Sequence, residues 1–550
     1  MNNKRLNLEE IQDELGGHSA RDLFSYMRFL YLAKRGLSES PQQNKTLDFL
    51  VEKIGLDLGM KPEELWGSQK FQLLFRATKS EHLEILGIAQ EYVEEAKAAI
   101  HAGRVMSLLP FNAVMGETTI RKYIPSRPDK FSGNWRHSMD PYGLFRDKER
   151  VVAQDTEGNQ VYLATRKFPY AVLANITEAC FIGCDGCYKG SMVRTALSSL
   201  ADIYPEYAEI KKQLSLDEER AIRQSSLLTR WLNKNAEVDT VVISGGEPLL
   251  YANQALEKIL ERYKHAEHVK VVRICTSAVF QGMWYRVDEE FARILKEFEA
   301  TTGKQVYINA HVTDEYQLSA PEAKIAVDML QRAGISVHLQ MPLQEGINFK
   351  RDDLAWSVEK LKRITKQAYA LGVIPYKLIV DMHSPSHPDL TVPLETVTKL
   401  IGFLDQHSEH SDHERWQAYN ILHEQGNLYL AAYPHFAAVK KIDEEQEKVI
   451  YYIPKVEFNG RKNISVHTYE EPLIRGQNDD PHGLNQIADA EVRAKIDEVR
   501  MTYDILREKV RELENSNLSF EQKAKDIGTL ENEFYKVSEI IFTENSPLMI

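Results

Sequence analysis

The chain is 550 residues long, 43% hydrophobic and 27% charged, with a formal net charge of −13. That composition is ordinary for a folded globular protein of about two to four domains, and its acidity argues against a broad nucleic-acid footprint. No apolar run approaches a membrane span, the N-terminal segment lacks the apolar core of a signal peptide, and the four cysteines are few, so the expectation is a cytoplasmic protein with neither nucleic-acid nor membrane partners.

Apolar residues between 19 and 108 recur at helical spacing, first Phe24, Met27, Leu30, Tyr31 and Leu32, then Leu47, Leu50, Val51 and Ile54. Thr78 to Glu81 is a capping-box pattern ahead of Leu83, Ile85, Leu86 and Ile88, which starts a further helix. An N-terminal helical cap or lid domain is therefore expected over 1–109. From 110 to 166 Pro110, Pro125, Pro128, Gly133, Pro141 and Gly143 interrupt the pattern, which reads as an irregular bridge. Within it Asp155-Thr-Glu-Gly158 reads as a turn between Val151-Val152 and Val161-Tyr162, a short hairpin.

Three of the four cysteines, Cys180, Cys184 and Cys187, then fall together as C-x3-C-x2-C just after the apolar run Ala171–Thr177. Three thiolates on one tight loop suit a soft metal centre. The fourth, Cys275, is almost ninety residues on, so a four-iron cluster held here would keep one iron open. A structural zinc loop is the rival reading, but it normally takes four ligands in two pairs, and no histidine pair stands beside this loop.

From 171 the chain alternates strand and helix. Expected strands are Ala171–Thr177, Thr240–Ser244, Lys270–Cys275, Gln305–His311, Ile335–Pro342 and Ile374–Asp381, with amphipathic stretches at 253–264, 286–300, 321–333 and 353–371. Continuous apolar strands alternating with helices predict a parallel sheet covered by helices, and a partial (β/α)6 barrel of the TIM type over 167–425 fits best. The region 190–235 is long for a crossover and is expected to include an extra helix or lid. In such folds chemistry sits at the C-terminal strand ends. There lie Ser244-Gly245-Gly246-Glu247-Pro248, Thr276-Ser277, Asn309, His311, Gln340 and Asp381-Met382-His383. The two glycines let backbone approach a ligand, and Glu247 can pair with an ammonium. Thr276 and Ser277 read equally as ligand contacts or local caps. His407, His410 and His413 read as an exposed polar run.

Residues 426–485 look β-rich, with Leu428, Tyr429, Leu430, Val449, Tyr451 and Ile453 in apolar runs. Over 486–550 Val492, Ile496, Val499, Tyr503, Leu506, Val510 and Leu513 step by fours and threes, and Ile527, Leu530, Phe534, Val537 and Ile541 repeat this after Asn515-Ser-Asn517. That predicts a C-terminal helical hairpin, packed on its own chain by default, with homodimerisation through its seam as an alternative.

The cysteine stretch, 171–190, resembles the radical S-adenosylmethionine (SAM) enzymes. The resemblance implies a 4Fe-4S cluster on Cys180, Cys184 and Cys187, whose open iron binds the amino and carboxylate groups of SAM. An electron from an external donor such as flavodoxin or ferredoxin then cleaves SAM to a 5′-deoxyadenosyl radical. It also implies that Gly245, Gly246 and Glu247 meet the methionine amino group, and that the backbone at Tyr188 meets the adenine. Where the family commonly has an aromatic before the last cysteine, this chain has Gly186.

Over about 165 to 472 the chain more closely resembles the lysine 2,3-aminomutase family. The run Lys167-Phe-Pro169 through Cys180, Ile308-Asn309-Ala-His311, Gln340, Glu345-Gly-Ile-Asn348 and Tyr469-Glu-Glu-Pro472 carry that resemblance. It implies that His311 and Gln340 lie in the SAM pocket, with Asn309 on the same strand end. The departures concern a second cofactor. Where those enzymes hold pyridoxal phosphate on a lysine in a glycine-rich segment, this chain has Glu424-Gln-Gly-Asn-Leu-Tyr-Leu430, and neither Lys440 nor Lys441 matches. The family's phosphate-binding arginine aligns with Ala171, and its substrate-carboxylate arginine with Lys189, which can still bind a carboxylate as a point charge.

The resulting expectation is a radical SAM enzyme without pyridoxal phosphate, because a Schiff base needs its lysine. It would abstract hydrogen from a small polar, amino-acid-like substrate for rearrangement, epimerisation or oxidation, with Lys189, Asp381 and His383 contacting that substrate. The alternatives are a pyridoxal-phosphate aminomutase using a different lysine, a radical SAM enzyme that modifies a peptide or protein, and a non-enzymatic helical protein with a relict cluster.

Overall fold

The computed structural model describes residues 150–180, 217–281, 286–318, 321–380, 390–406, 416–423, 426–430, 436–458, 462–480, 487–518 and short stretches from 522 to 540. The expected N-terminal helices, most of the bridge, Cys184, Cys187, Tyr188, Lys189, Asp381, Met382, His383 and the histidines at 407, 410 and 413 lie outside the described residues.

The first strands form the hairpin read from the sequence. β1 (Arg150–Gln154) and β2 (Gln160–Phe168) pair antiparallel. The Asp155 carboxylate accepts from the amides of Glu157 and Asn159 at 2.9 and 2.8 Å, and Gly158 takes a left-handed φ of 85° that other residues rarely adopt. The hairpin is part of the main sheet, because β2 pairs antiparallel with β3 (Ala171–Thr177). The sheet therefore begins at Arg150, ahead of the position expected from the sequence.

From β3 the strands run parallel in chain order through β4 (Thr240–Gly245), β5 (Val271–Thr276), β6 (Gln305–His311), β7 (Ser336–Leu343), β8 (Ile374–Val380) and β9 (Ala418–His423). β10 (Gly426–Tyr429) closes the series antiparallel to β9. The sheet has ten strands in sequential order, and its edge strands do not pair with each other. The six expected parallel strands are thus joined by a seventh, β9, absent from the sequence reading.

The connecting helices are α1 (Glu218–Leu232), α2 (Asn253–Lys264), α3 (Glu289–Thr302), α4 (Glu315–Leu318), α5 (Pro321–Arg332), α6 (Leu354–Ala370) and α7 (Leu394–Gln406). Asp217, Asp288 and Asp353 cap α1, α3 and α6, each accepting from the amide three residues on. Those bonds satisfy donors that a helix start leaves open. One side chain in two along each inner strand, such as Val272 and Ile274, Val306, Ile308 and Ala310, or Val337, Leu339 and Met341, is buried in a single core. Their intervening neighbours Arg273, Cys275, Tyr307, His311, His338 and Gln340 are half-buried on the other face.

A second sheet holds β11 (Val439–Asp443), β12 (Lys448–Phe458), β13 (Lys462–Pro472) and β14 (Glu539–Ile540) in that order. β12 is apolar on both faces. Val449, Tyr451 and Ile453 join the main core, while Ile450 and Tyr452 meet Val492, Ile496, Val499 and Leu506 of α8 (Ala490–Asn515) in a second core. The first arm of the expected hairpin therefore exists and covers the second sheet. Its end differs from expectation: Ile540 lies in a strand, paired with Ile464, where the sequence reading carried the helical pattern on to Ile541. The β-branched Ile540 and Ile464 fit a pleated ladder better than an exposed helix end.

A buried polar network ties this sheet to α7. Glu395 of α7 accepts from Lys440, whose ammonium also donates to the Asn478 carbonyl at 3.1 Å. Glu471 accepts from the Leu394 amide at 2.9 Å, Tyr451 Oη at 2.8 Å and Asn478 Nδ2 at 2.7 Å. Burial raises the Glu471 carboxyl to about 7, opposed by those three donors. Lys440→Met should strand the Glu395 charge and cost about 3–5 kcal/mol by chemical denaturation, whereas Lys441→Met, which breaks the half-exposed pair with Asp504, should cost under about 1 kcal/mol.

Candidate functional site

The C-terminal ends of β3 to β7 carry those residues singled out in the sequence that are described: Cys180, Gly245, Gly246, Glu247, Thr276, Ser277, Asn309, His311 and Gln340. The closest approach is between the segment leading into Cys180 and the glycine pair after β4. The ladder between β3 and β4 slips by one residue after Asn175, so that Thr177 pairs with Gly245. Beyond the last strand residues the Gly246 amide donates to the Thr177 carbonyl at 2.7 Å, and the Glu247 amide to the Ala179 carbonyl at 2.8 Å. Side chains are excluded here. A Cβ on Gly245, whose φ is 142°, would stand 2.2 Å from the Thr177 oxygen, and one on Gly246 2.2 Å from the Ala179 oxygen. Glycine is required because two backbones touch. Cys180, half-buried against the main core, leaves directly from this contact.

Glu247 is 1% exposed, and its carboxylate is held by its own chain. Oε1 accepts from Thr276 Oγ1 at 2.6 Å and from the Leu249 amide at 3.1 Å, and Oε2 from the Ser277 amide at 2.9 Å. Burial lifts its carboxyl above the usual range, while the three donors and the Arg286 guanidinium pull it back. Thr276 has a double duty, since its Oγ1 also accepts from the Ala278 amide at 2.9 Å. The Thr276 hydroxyl thus acts as a local cap and as a tie from β5 to β4, and Ser277 contributes its backbone.

Two residues not picked out from the sequence brace the loop from behind. Arg286, fully buried, donates from Nε to the Leu249 carbonyl at 2.7 Å and from its terminal nitrogen to the Tyr251 carbonyl. Tyr251 donates to the Ile176 carbonyl at 2.9 Å, and burial raises its hydroxyl to about 12, so it stays protonated. A lone arginine and a tyrosine after a proline turn carry no motif that would have marked them.

On β6 and β7 His311 and Gln340 stand opposite each other in register. Gln281 reaches across from the end of β5, its Nε2 donating to the His311 carbonyl at 2.9 Å and lying 3.3 Å from His311 Nδ1. Asn309, 4% exposed, points its Nδ2 at Cys275 Sγ at 3.8 Å, and its buried Oδ1 has no partner among the described residues. The loop after β7 is pinned by Asn348, which donates to the carbonyls of Pro342 and Thr313 at 2.8 and 3.0 Å and accepts from the Gln344 amide at 2.9 Å. The structure therefore brings Cys180, Gly245, Gly246, Glu247, Thr276 and Ser277 into one bonded unit and sets Asn309, His311 and Gln340 on the adjoining strand ends.

No family profile matches the sequence. Curated proteins do. The chain is 25% identical over 284 residues to a putative L-lysine 2,3-aminomutase of Aquifex aeolicus, covering 49% of this chain and 67% of that protein. It is 24% identical over 386 residues to a glutamate 2,3-aminomutase of Clostridioides difficile, covering 69% and 79%, and 27% identical over 222 residues to an L-lysine 2,3-aminomutase of Fusobacterium nucleatum, covering 40% and 44%. The likeness identifies the chain as an enzyme and as similar to the radical SAM aminomutases. No described helix is long and apolar enough to cross a membrane.

The Glu247 ties give a test with a defined sign. Because burial raises its native carboxyl above the unfolded value, the folded chain holds that proton to higher pH, and stability falls as pH rises through the native value. Thr276→Val removes a donor to the charged form, so its cost should be about 1–3 kcal/mol at pH 8 and smaller at pH 5. Ser277→Ala keeps the backbone donor and should stay within about 0.5 kcal/mol at both pH values. Denaturant titrations at the two pH values measure this.

Proposed function

We propose that the chain is a radical SAM enzyme acting on a small, polar, amino-acid-like substrate, with Cys180, Cys184 and Cys187 holding a 4Fe-4S cluster. The observation that carries this is the backbone contact of Thr177 and Ala179, just before Cys180, with Gly246 and Glu247, which sets Cys180 beside a glycine turn at parallel strand ends. Three thiolates without a fourth suit a cluster with an open iron, and the donor set fits that group. When bound, cluster and SAM supply reductive cleavage of SAM to a 5′-deoxyadenosyl radical, given an electron from a donor such as flavodoxin or ferredoxin.

The chain's own residues would do the rest. Gly246 and Glu247 spend their amides on the Thr177 and Ala179 carbonyls, so an ammonium group would be met here by a backbone carbonyl. The internally tied Glu247 would act chiefly by its negative field, and His311, Gln340 and Asn309 would line the adjoining wall. Asp381 and His383 follow β8, and Lys189 follows the last cysteine, so all three are proposed for substrate contact. The sequential order of the parallel strands supports a sheet curled into a partial barrel around this site.

Pyridoxal phosphate is not expected on the family's terms. The chain at the corresponding place is β10, an edge strand, and Lys440 and Lys441 are both ion-paired, with Glu395 and Asp504. The second reading, an amino-acid 2,3-aminomutase that does use pyridoxal phosphate, is favoured by the names of the relatives. Anaerobic protein reconstituted with iron and sulfide should show a cluster chromophore and release 5′-deoxyadenosine from SAM after reduction, without added pyridoxal phosphate. Cys184→Ala should lose both. Deoxyadenosine release that requires saturable pyridoxal phosphate would select the second reading, and absence of any cluster would sink both.

A further inference from the structure

On the inner face of the main sheet, away from the helices, five side chains form a row. The Arg273 guanidinium lies 5.2 Å over the Tyr307 ring, Tyr307 stacks on His338 at 4.3 Å, His338 meets Tyr376 edge-on at 5.4 Å, and Lys377 Nζ lies 5.0 Å over Tyr376. The row runs from β5 through β6 and β7 to β8 with a cation at each end. Neither cation forms an ion pair or hydrogen bond with any described residue, and Arg273 Nε is buried without a partner. His338 Nδ1, in the middle, is also buried and has no partner among the described residues. Both cationic side chains remain half-exposed, so a small solute can reach them.

The placement of Lys377 is a local feature of the backbone. Along β7 and β8 His338 pairs with Ile374 and Leu339 with Pro375, but Gln340 pairs with Lys377. Tyr376 is the extra residue of a bulge, a device that re-aims side chains and recurs beside active sites. Without it, alternation would turn Lys377 toward the helices and the apolar core. With it, Lys377 shares the inner face with Gln340, Cys275 and Arg273. Burial, then the Arg273 charge, lowers its ammonium to about 8, with Cys275 opposing. Burial and then Arg273 also lower His338 to about 4, so it is neutral at pH 7 and supplies no third charge.

Two like charges held on one face partly out of bulk water, with no acidic partner among the described residues, cost folding energy. Buried polar atoms in native proteins are almost always satisfied, and local rules are broken mainly at functional sites. We propose that Arg273 and Lys377 form an anion-binding subsite on the inner face, which takes a carboxylate or phosphate group of the small molecule bound there over the Tyr307–His338–Tyr376 row. The identification of that molecule as substrate or cofactor rests on the reading given under Proposed function, while the subsite rests on the geometry alone.

The test is thermal unfolding of the anaerobically purified full-length protein in sodium chloride, sodium phosphate or sodium glutamate at equal ionic strength and pH 7. An anion that binds only the folded chain raises the midpoint by mass action, and a rise of about 1–2 °C is expected at tenfold over its dissociation constant. Lys377→Met and Arg273→Met should abolish that rise yet unfold in chloride no earlier than wild type, because each relieves an uncompensated charge. Lys377→Arg should keep the rise. A response to glutamate alone assigns the subsite to a carboxylate, and a response to phosphate alone to a phosphate ester. No response to either anion, an equal response in the Met variants, or Met variants that unfold earlier in chloride would overturn the subsite and give the cations a structural role. The readout does not involve deoxyadenosine, so it stands or falls separately from the radical chemistry.

Discussion

The site depends on two backbone hydrogen bonds, donated by the amides of Gly246 and Glu247 to the carbonyls of Thr177 and Ala179. Parallel strands ordinarily part company where the sheet ends, and the loops beyond them go their own way. Here the slip after Asn175 lengthens the contact past the end of the ladder, and the absence of two Cβ atoms lets the backbones close. The segment that enters the cysteine loop is consequently fixed to β4 and not merely connected to β3. The remaining ties serve that contact. Glu247 clamps the ends of β4 and β5 together through Thr276 and Ser277, and Arg286 and Tyr251 hold the 3-10 turn that follows. A buried carboxylate is expensive unless its lone pairs are met, and three donors plus a buried guanidinium meet them.

Much of this architecture was legible because parallel strands announce themselves as apolar runs. Gln305–His311 and Ala171–Thr177 coincide with the runs read from the sequence, and the other inner strands shift by only one residue. β9 escaped notice for a physical reason: Ala-Tyr-Asn-Ile-Leu-His is short and mixed, and it joins the sheet only because β8 offers it an edge. The helix expected near the C-terminus ends in β14 because β13 supplies a partner at Ile464, information that no local periodicity holds. In the site, Gly245, Gly246 and Glu247 were visible as a motif, but the commitment of the Glu247 carboxylate to its own chain was not. Hydrogen-bond partners on other strands leave no trace in the spacing of one segment.

Lys377 shows the limit of periodic reading most sharply. Strict alternation along Ile374–Val380 places it among helix-facing residues, where a lysine would look like a misfit at the sheet's edge. One bulged tyrosine reverses its side and joins it to Arg273. The two faces of the main sheet differ accordingly. The helix side is closed by Val, Ile and Leu at alternate positions, whereas the inner side carries Arg273, Asn309, His311, His338 and Gln340, with Arg273 Nε, Asn309 Oδ1 and His338 Nδ1 unmet among the described residues. A sheet stabilised on one face leaves the other available for ligand chemistry, and the cost of those unmet groups is borne by the apolar face.

The segments that resemble the aminomutases divide by the same logic. Asn348 and Glu471 lie in such segments, yet each is spent on its own backbone. Asn348 joins the ends of β6 and β7, which sets the relative height of His311 and Gln340. Glu471 accepts the amide of Leu394, the first residue of α7, and so fixes where that helix starts after β8. A shared motif therefore marks two kinds of position, those that would touch a ligand and those that hold the strand ends at the spacing a ligand needs. Because the second kind is buried and fully bonded, its loss should appear in stability before it appears in binding. A residue such as Asn309, whose buried Oδ1 has no partner among the described residues, should show the reverse.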